Sequence, residues 1–367
     1  MKIAIYVGPT NGGSVARIST YLANGFLKEG LEVDLLVRRT KENLIGDLAP
    51  GIRTLDLGSS NAAIQLAKLA WYLRRKRPQA LITHRIRENT LCLRARDLVA
   101  GKTRIFSVIH GPMSVKLKNL RPSKRKRRLK DLQKYYPLND GLIAISRATA
   151  EDTRDLLRLS PEKIWTIPNP AFDDTLFHLA QEPVDHPFFS QPGVKVILGV
   201  GRLEKEKDFP TLIKAFSILV SQDRSCRLLI LGEGSLRPQL EGLIRELDLQ
   251  GLIDMPGFVK NPYAYMKRAH LVALSSTWDA LPTVLIEALA LGTPVVSTSC
   301  GPGPEEILEQ GRLGMLVPPK EVEALARAME ASLSSPPDRE ALRSGAMRYH
   351  ASRVIPLYLR TLGLAER

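Results

Sequence analysis

Two acidic residues, Asp279 and Glu287, stand eight positions apart in the stretch SSTWDALPTVLIEALALGTPVVS, residues 275–297. The first falls in a short polar loop. The second falls in an apolar helical pattern that begins at Pro282. A carboxylate placed between Ile286 and Ala288 costs free energy unless something hydrogen-bonds to it. A second chemical grouping lies in GVGRLEKEKDFPTL, where Arg202 and Lys207 follow a strand pattern and precede a helix pattern. Arginine offers a planar fork of donors and lysine a compact point charge. Together, near a helix N-terminus, they suit a diphosphate. A solvated mixture with Glu204, Lys205 and Glu206 is the competing reading, and no Gly-Lys-Ser/Thr follows that would make a Walker loop. A third grouping, PTNGGSVAR, follows the first strand pattern. Gly12 and Gly13 there would let the backbone approach a bulky anion, or simply form a turn. The full Gly-x-Gly-x-x-Gly fingerprint is missing, so a nicotinamide site is weakly supported.

The elements that must position these groups alternate regularly. KIAIYVG, LEVDLLV, QALITH, TRIFSVIH, GLIAIS and KIWTIP read as strands, with helix patterns such as SVARISTYLANGFLKEG between them. The rhythm breaks over 169–193, which holds four prolines, and restarts with VKVILGVGRL, CRLLILGEG, IDMPGF, HLVALS, TPVVST and GMLVP. Strands alternating with helices imply parallel sheets covered on both faces. The expected class is therefore α/β, with two doubly wound Rossmann-like domains. Domain one is expected over 1–180, a linker over 181–193, and domain two over 194–345. The last segment, 346–367, is expected as a helix interrupted at Pro356 that packs back on domain one. Ligands of such sheets bind beyond the carboxyl ends of the strands, where the three groupings lie.

Composition bounds the partners. The 367 residues carry a net charge of +15, from 53 Lys and Arg against 38 Asp and Glu. That excess suggests an anionic partner. It is densest in KLKNLRPSKRKRRLK, residues 116–130, which reads either as a solvated face or as a dock for an anionic membrane surface. No apolar run of about 18 residues exists to span a bilayer. Three scattered cysteines, Cys92, Cys226 and Cys300, fit a reducing cytosol better than a disulfide framework.

Taken in order, GLIAISRATAEDTRDLLRLSPEKIWTIPNP, GRLEKEKDFPTLIKAF, LLILGEGSLRPQLEGLIREL, MPGFV, the 275–297 stretch and CGPGPEEILEQGRLGMLVPP resemble a family 4 glycosyltransferase of the bacterial cell-envelope or exopolysaccharide type. The resemblance covers nearly the whole chain. It implies the GT-B fold, two domains facing across a cleft, and transfer of a sugar from a nucleoside-diphosphate donor, UDP ahead of GDP, with retention at the anomeric carbon. The acceptor it implies is a saccharide or lipid-linked glycan. In such enzymes two glutamates are separated by seven residues, and Asp279 and Glu287 occupy those places. Glu287 is expected on the ribose hydroxyls and Asp279 on the transferred sugar, two helical turns placing both toward one ligand. Pro282 is expected in the first helical turn, with the N–H groups of Thr283, Val284 and Leu285 facing the diphosphate. Arg202 and Lys207 match the diphosphate-binding pair, and Lys207 would neutralise the leaving nucleotide. His110, ending RIFSVIH, matches a histidine facing the donor sugar, with a hydrogen-bonded loop histidine as the plainer reading. His84 reads as structural. Glu305 and Glu306 fall where a donor-sugar loop is expected, and the base is expected near Gly257, Phe258 and Val259, beside Gly232–Gly234. Two departures stand out: Asp279 is one methylene shorter than glutamate, and Ala280 replaces the usual glycine.

No cofactor is expected, and no metal, because no Asp-x-Asp occurs in the chain. Two other classes compete. A nicotinamide-independent sugar-nucleotide epimerase would share the fold but needs acid/base groups that the sequence does not single out. A nucleic-acid-binding protein would interleave aromatics with its basic residues, whereas aromatics are 6% of the chain and none lies within 116–130.

Overall fold

A computed structural model describes residues 1–8, 14–38, 48–59, 61–118, 120–279 and 281–364. The chain divides into two compact units, Met1–Ala171 with Tyr349–Arg367, and Phe172–Arg348. The first unit runs β1 (Lys2–Gly8), α1 (Ser14–Lys28), β2 (Glu32–Val37), β3 (Arg53–Asp56), α2 (Ala62–Lys76), β4 (Ala80–Thr83), α3 (Ile86–Leu98), β5 (Arg104–Ile109), α4 (Met113–Lys118), α5 (Pro122–Tyr135), β6 (Gly141–Ala144), α6 (Arg147–Leu157) and β7 (Ile164–Thr166). The second runs α7 (Asp174–Leu179), α8 (Pro187–Ser190), β8 (Lys195–Val200), α9 (Phe209–Gln222), β9 (Cys226–Leu231), α10 (Arg237–Glu246), β10 (Ile253–Gly257), α11 (Pro262–Arg268), β11 (Leu271–Leu274), α12 (Thr283–Ala290), β12 (Val295–Thr298), α13 (Pro302–Ile307), β13 (Met315–Val317), α14 (Val322–Ser334) and α15 (Arg339–Ala346). The chain then returns to the first unit as α16 (Ala351–Thr361).

Both sheets are parallel, in the orders β3-β2-β1-β4-β5-β6-β7 and β10-β9-β8-β11-β12-β13. In each, chain order reverses direction beside the first strand. Right-handed crossovers then put the helices on both faces. The central strands are buried on both faces, as in β1 from Ile3 to Gly8, which is why they read as unbroken apolar runs. Edge strand β3, RTLD, is half-exposed and had no such signature. Its Arg53 Nε donates to Asp34 Oδ1 at 3.0 Å, and Tyr72 Oη donates to Asp34 Oδ2 at 2.8 Å, so this fully buried β2 carboxylate is satisfied.

Two expectations are corrected. Residues 172–193, expected as the end of domain one and a linker, belong to the second unit. Asn261 Nδ2 donates to Leu179 O at 2.8 Å, and His186 Nε2 bonds Asp254 at 2.9 Å, which ties the segment down. Pro356 does not interrupt the last helix, since α16 runs through it. Its buried face holds Val354, Ile355, Tyr358 and Leu359, and packing overrides the one lost backbone bond. The break falls instead at 347–350, where His350 caps α16 by accepting from Ser352 N–H at 3.2 Å. The basic run falls on two helices, α4 and α5, with Pro122 opening the second.

Candidate functional site

In the second unit the direction of winding reverses between β8 and β11, so the crevice beyond their carboxyl ends is where a ligand is expected. The loop after β8 carries Arg202 and Lys207, and the loop after β11 carries Asp279. Lys207 Nζ donates to Asp279 Oδ2 at 2.7 Å across 72 residues of chain, with side chains 17% and 19% exposed. The loops are bonded to each other as well. Ser275 Oγ donates to Lys207 O and Thr277 N–H to Glu206 O, each at 2.9 Å. Arg202 lies on the same loop but turns outward. It is 73% exposed and donates to Glu206 Oε1 at 2.7 Å.

Neighbouring strand ends add backbone to this crevice. Gly232, after β9, has φ +147, and a Cβ there would fall 1.9 Å from Gly201 O, so only glycine lets the two loops touch. Leu203 N–H donates to Glu233 O at 2.9 Å. Ser235 donates through its N–H and Oγ to Glu204, and these bonds hold the Glu204 carboxyl below its ordinary range. Gly232 N–H donates in turn to Gly257 O at 2.8 Å. Beyond β10, Phe258 is 78% exposed and Val259 part-buried.

Asp279 and Glu287 are not two turns apart on one helix. Asp279 sits four residues before α12, held in its loop by an N–H bond to Cys300 O at 3.4 Å, while Ala280 lies outside the described residues. Glu287 is on α12, one turn in, and 2% exposed. Pro282 caps α12 rather than entering its first turn, and Leu285 N–H donates to Pro282 O at 3.1 Å. That amide is engaged within the turn. Thr283 and Val284 open the helix. Glu305 and Glu306 are on α13, whose preceding Gly301 (φ +138) lies against Asp279, a Cβ there meeting Asp279 O at 3.3 Å.

In the first unit the reversal falls between β1 and β4. The loop after β1, with Gly12 and Gly13, lies outside the described residues. The loops after β4 and β5 bring together His84 and His110, whose Nδ1 and Nε2 are 2.9 Å apart. Asn169 Nδ2 bonds His110 Nδ1 at 3.2 Å. With Asn169 donating, the shared hydrogen belongs to His110 Nε2, and His84 carries its own on Nε2. Burial pushes the His84 imidazole down to about 3. Burial, then the neighbouring His84, holds His110 well below its ordinary value. Both rings are therefore neutral near pH 7. The sequence had set His84 aside as structural; ending a strand next to the strand that ends in His110 was the available signal.

The family model described as Glycosyl transferases group 1 matches residues 184–348, and that described as Glycosyltransferase Family 4 matches residues 12–172. The chain belongs to glycosyltransferase family 4. This glycosyltransferase is 32% identical over 211 residues to the Campylobacter jejuni N-acetylgalactosamine-N,N'-diacetylbacillosaminyl-diphospho-undecaprenol 4-alpha-N-acetylgalactosaminyltransferase, a match spanning 58% of this chain and 55% of the relative. The chain spans between 39% and 55% of the length of the first curated relatives it matches. Its fold is that of a Rickettsia africae glycosyltransferase (TM-score 0.82, 18% identity, covering 98% of this chain and 97% of that one). It is also that of Anabaena HepE, solved with UDP (TM-score 0.79, 17% identity, covering 100% of both). The two doubly wound units are thus those of the GT-B fold. Neither the epimerase nor the nucleic-acid alternative is favoured by these relatives.

Among the described residues of the glycosyltransferase, no group of three or more His, Cys, Asp or Glu is placed to hold a metal ion. Cys92, Cys226 and Cys300 are free and buried. No described helix is long and apolar enough to cross a membrane. The basic run divides. Lys124, Arg125, Lys126, Arg127 and Lys130 are exposed on α5, whereas Arg128 is part-buried.

Proposed function

We propose that this glycosyltransferase moves a sugar from a nucleoside-diphosphate sugar, UDP ahead of GDP, to a lipid-linked or saccharide acceptor in glycan synthesis, with retention at the anomeric carbon. The observation that carries the reading is the Lys207–Asp279 pair at the reversal point of the second sheet. A cation joined to a carboxylate in that crevice can exchange it for the donor's diphosphate, which frees the carboxylate for a hydroxyl of the sugar. The donor's C1–O bond to the β-phosphate breaks while a C1–O bond to the acceptor forms on the same face. The acceptor's proton passes to the departing phosphate. Lys207 and Arg202 meet charge that grows as the bond breaks, so they act on turnover. Glu287, buried on α12, accepts from ribose hydroxyls. The UDP carried by the HepE structure supports the order of the two nucleotides. The diphospho-undecaprenol in the Campylobacter relative's name supports a lipid-linked acceptor.

We extend the reading to a peripheral hold on an anionic membrane surface through α5. That helix has no acid in its first turn and places Lys124 and Arg125 near its N-terminus, where the dipole disfavours cations by about 0.3–1 kcal/mol each. Anionic headgroups would relieve this, at about 1 kcal/mol per basic residue before screening.

The test is a donor screen. At roughly 100 times Kd a ligand stabilises by about 2.7 kcal/mol, a readable rise in melting midpoint. A UDP-sugar should raise it, and free UDP should then appear only when acceptor is added, with EDTA present. No response to any nucleotide sugar sinks the reading, and loss of transfer on chelation sinks its metal-free part. Sedimentation with anionic but not neutral vesicles, reversed by salt, is expected for the membrane part. Equal binding to neutral vesicles refutes it.

A further inference from the structure

The first unit contains a cavity of about 460 Å³ at the carboxyl ends of β2, β4 and β5, closed on one side by α4 and α5. Among the described residues, Arg38, Arg85, Arg87, Lys116 and Arg128 line it, against a single carboxylate, Glu88. Glu88 is buried beneath the end of β1, where a Cβ on Gly8 would meet its Oε1 at 2.8 Å. Among the described residues, Arg38, Arg85, Lys116 and Arg128 form no ion pair with a carboxylate. The second unit differs, because Arg202, Lys207 and Arg237 each hold an acid there. Arg38, Arg85, Lys116 and Arg128, gathered in one concave, partly apolar site, raise its potential and favour an anion. His84 lines the same cavity. It is 5% exposed, and its Nε2 has no hydrogen-bond partner among the described residues. A neutral imidazole with an unspent N–H is a donor for an oxyanion. The opposite wall is apolar, with Met113, Leu117 and Leu120 from α4 and its C-terminal loop.

We propose that this cavity binds the phosphate or diphosphate of the acceptor, the arginines and lysine taking the oxyanion and the α4 wall the first carbons of its ester. The proposal rests on the transferase reading for the word acceptor. The anion site itself stands on the geometry alone. The phosphate could belong to a lipid-linked glycan or to a water-soluble sugar phosphate, and the experiment separates the two.

Geranyl diphosphate, inorganic pyrophosphate and geraniol are titrated calorimetrically into the full chain in the presence of saturating UDP, and again into Arg38→Gln/Arg128→Gln. Geranyl diphosphate should bind the wild type, and the double variant should lose about tenfold or more in affinity, the worth of a charge-assisted hydrogen bond. Pyrophosphate binding as tightly as geranyl diphosphate supports the anion site and assigns it to soluble phosphates. Pyrophosphate binding more weakly assigns it to lipid-linked ones. Unchanged affinity in a folded double variant, checked by circular dichroism, overturns the proposal, as does no binding to the wild type or equal binding of geraniol. UDP affinity is measured separately in both proteins. If UDP fails to bind the wild type while geranyl diphosphate still distinguishes the variants, the donor reading fails and the anion site survives.

Discussion

Asp279 and Lys207 can be perturbed so that their two roles separate. At 2.7 Å, with both side chains less than a fifth exposed, the gross attraction is about 6 kcal/mol at an effective dielectric of about 20. Desolvation and ordering remove most of that, leaving about 1 kcal/mol net. Asp279→Asn and Lys207→Gln should therefore each lower the stability of the chain by about 1 kcal/mol, with a coupling of similar size in a double-mutant cycle. Their effects on nucleotide affinity should differ. Lys207→Gln removes a charge-assisted bond to the diphosphate and should weaken UDP binding by about 1.5–3 kcal/mol, roughly 10- to 150-fold. Asp279→Asn releases Lys207 from its intramolecular partner, so UDP should bind as well as before, or tighter by up to about fivefold, while sugar transfer falls. The assay is calorimetric titration of UDP into each variant, with denaturant unfolding in parallel. If Asp279→Asn weakens UDP binding as much as Lys207→Gln, the carboxylate holds the nucleotide site together and the exchange of partners at Lys207 is wrong.

Other outcomes are expected from the same structure. Glu287→Gln should keep the fold yet weaken UDP binding by about 1.5–3 kcal/mol in the same titration, and normal binding would remove Glu287 from the ribose. Gly25→Ala in α1 would gain about 1 kcal/mol in helix propensity but places a Cβ 2.4 Å from Ile355 Cγ1 of α16. Overpacking of about 1–3 kcal/mol should win, so the urea midpoint should fall, and a rise would refute the close approach of the two helices. His84 and His110 have folded pKa values below the ordinary one, so their stabilising contribution is complete above about pH 6.5 and is lost as pH falls below it, for His84 down to about 3. Stability should drop by up to about 1.4 kcal/mol per pH unit per histidine over that window. His84→Asn should flatten the slope measured by denaturant titration at stepped pH.

Much of the fold was legible because the central strands are buried on both faces and cannot hide their composition. VKVILGV and CRLLIL could be nothing else, and glycines after strands marked the loops that carry chemistry. Edge strand β3 was illegible for the opposite reason, since RTLD carries no alternation or apolar run. Residues 172–193 looked like the end of domain one and a linker because their anchors, Asn261 and Asp254, come more than 60 residues later. At the candidate site, the types of Arg202, Lys207, Asp279 and Glu287 pointed to phosphate and polyol chemistry. Which cation meets which carboxylate was not visible, because Lys207 and Asp279 are joined only by the adjacency of β8 and β11. Nor did the sequence show that Arg202 turns to solvent and pairs with Glu206. The basic run read as one uniform feature, although helical geometry sends Lys116 and Arg128 to a cavity and leaves Arg125–Arg127 on the surface.

The return of α16 to the first unit has a bearing on how the molecule is made. Ala171 N–H donates to Tyr349 O at 2.9 Å, and the face of α1 around Gly25 receives Ile355. During synthesis, residues 1–171 emerge first but lack the helix that covers α1, so they wait with apolar surface open. The second unit, continuous from Phe172 to Arg348, has all of its parts before that helix exists. Closure thus runs against chain order, with all parts of the later unit made before the helix that closes the earlier one. A chain truncated just after Arg348 should resist protease over 172–348 and be cut readily before it.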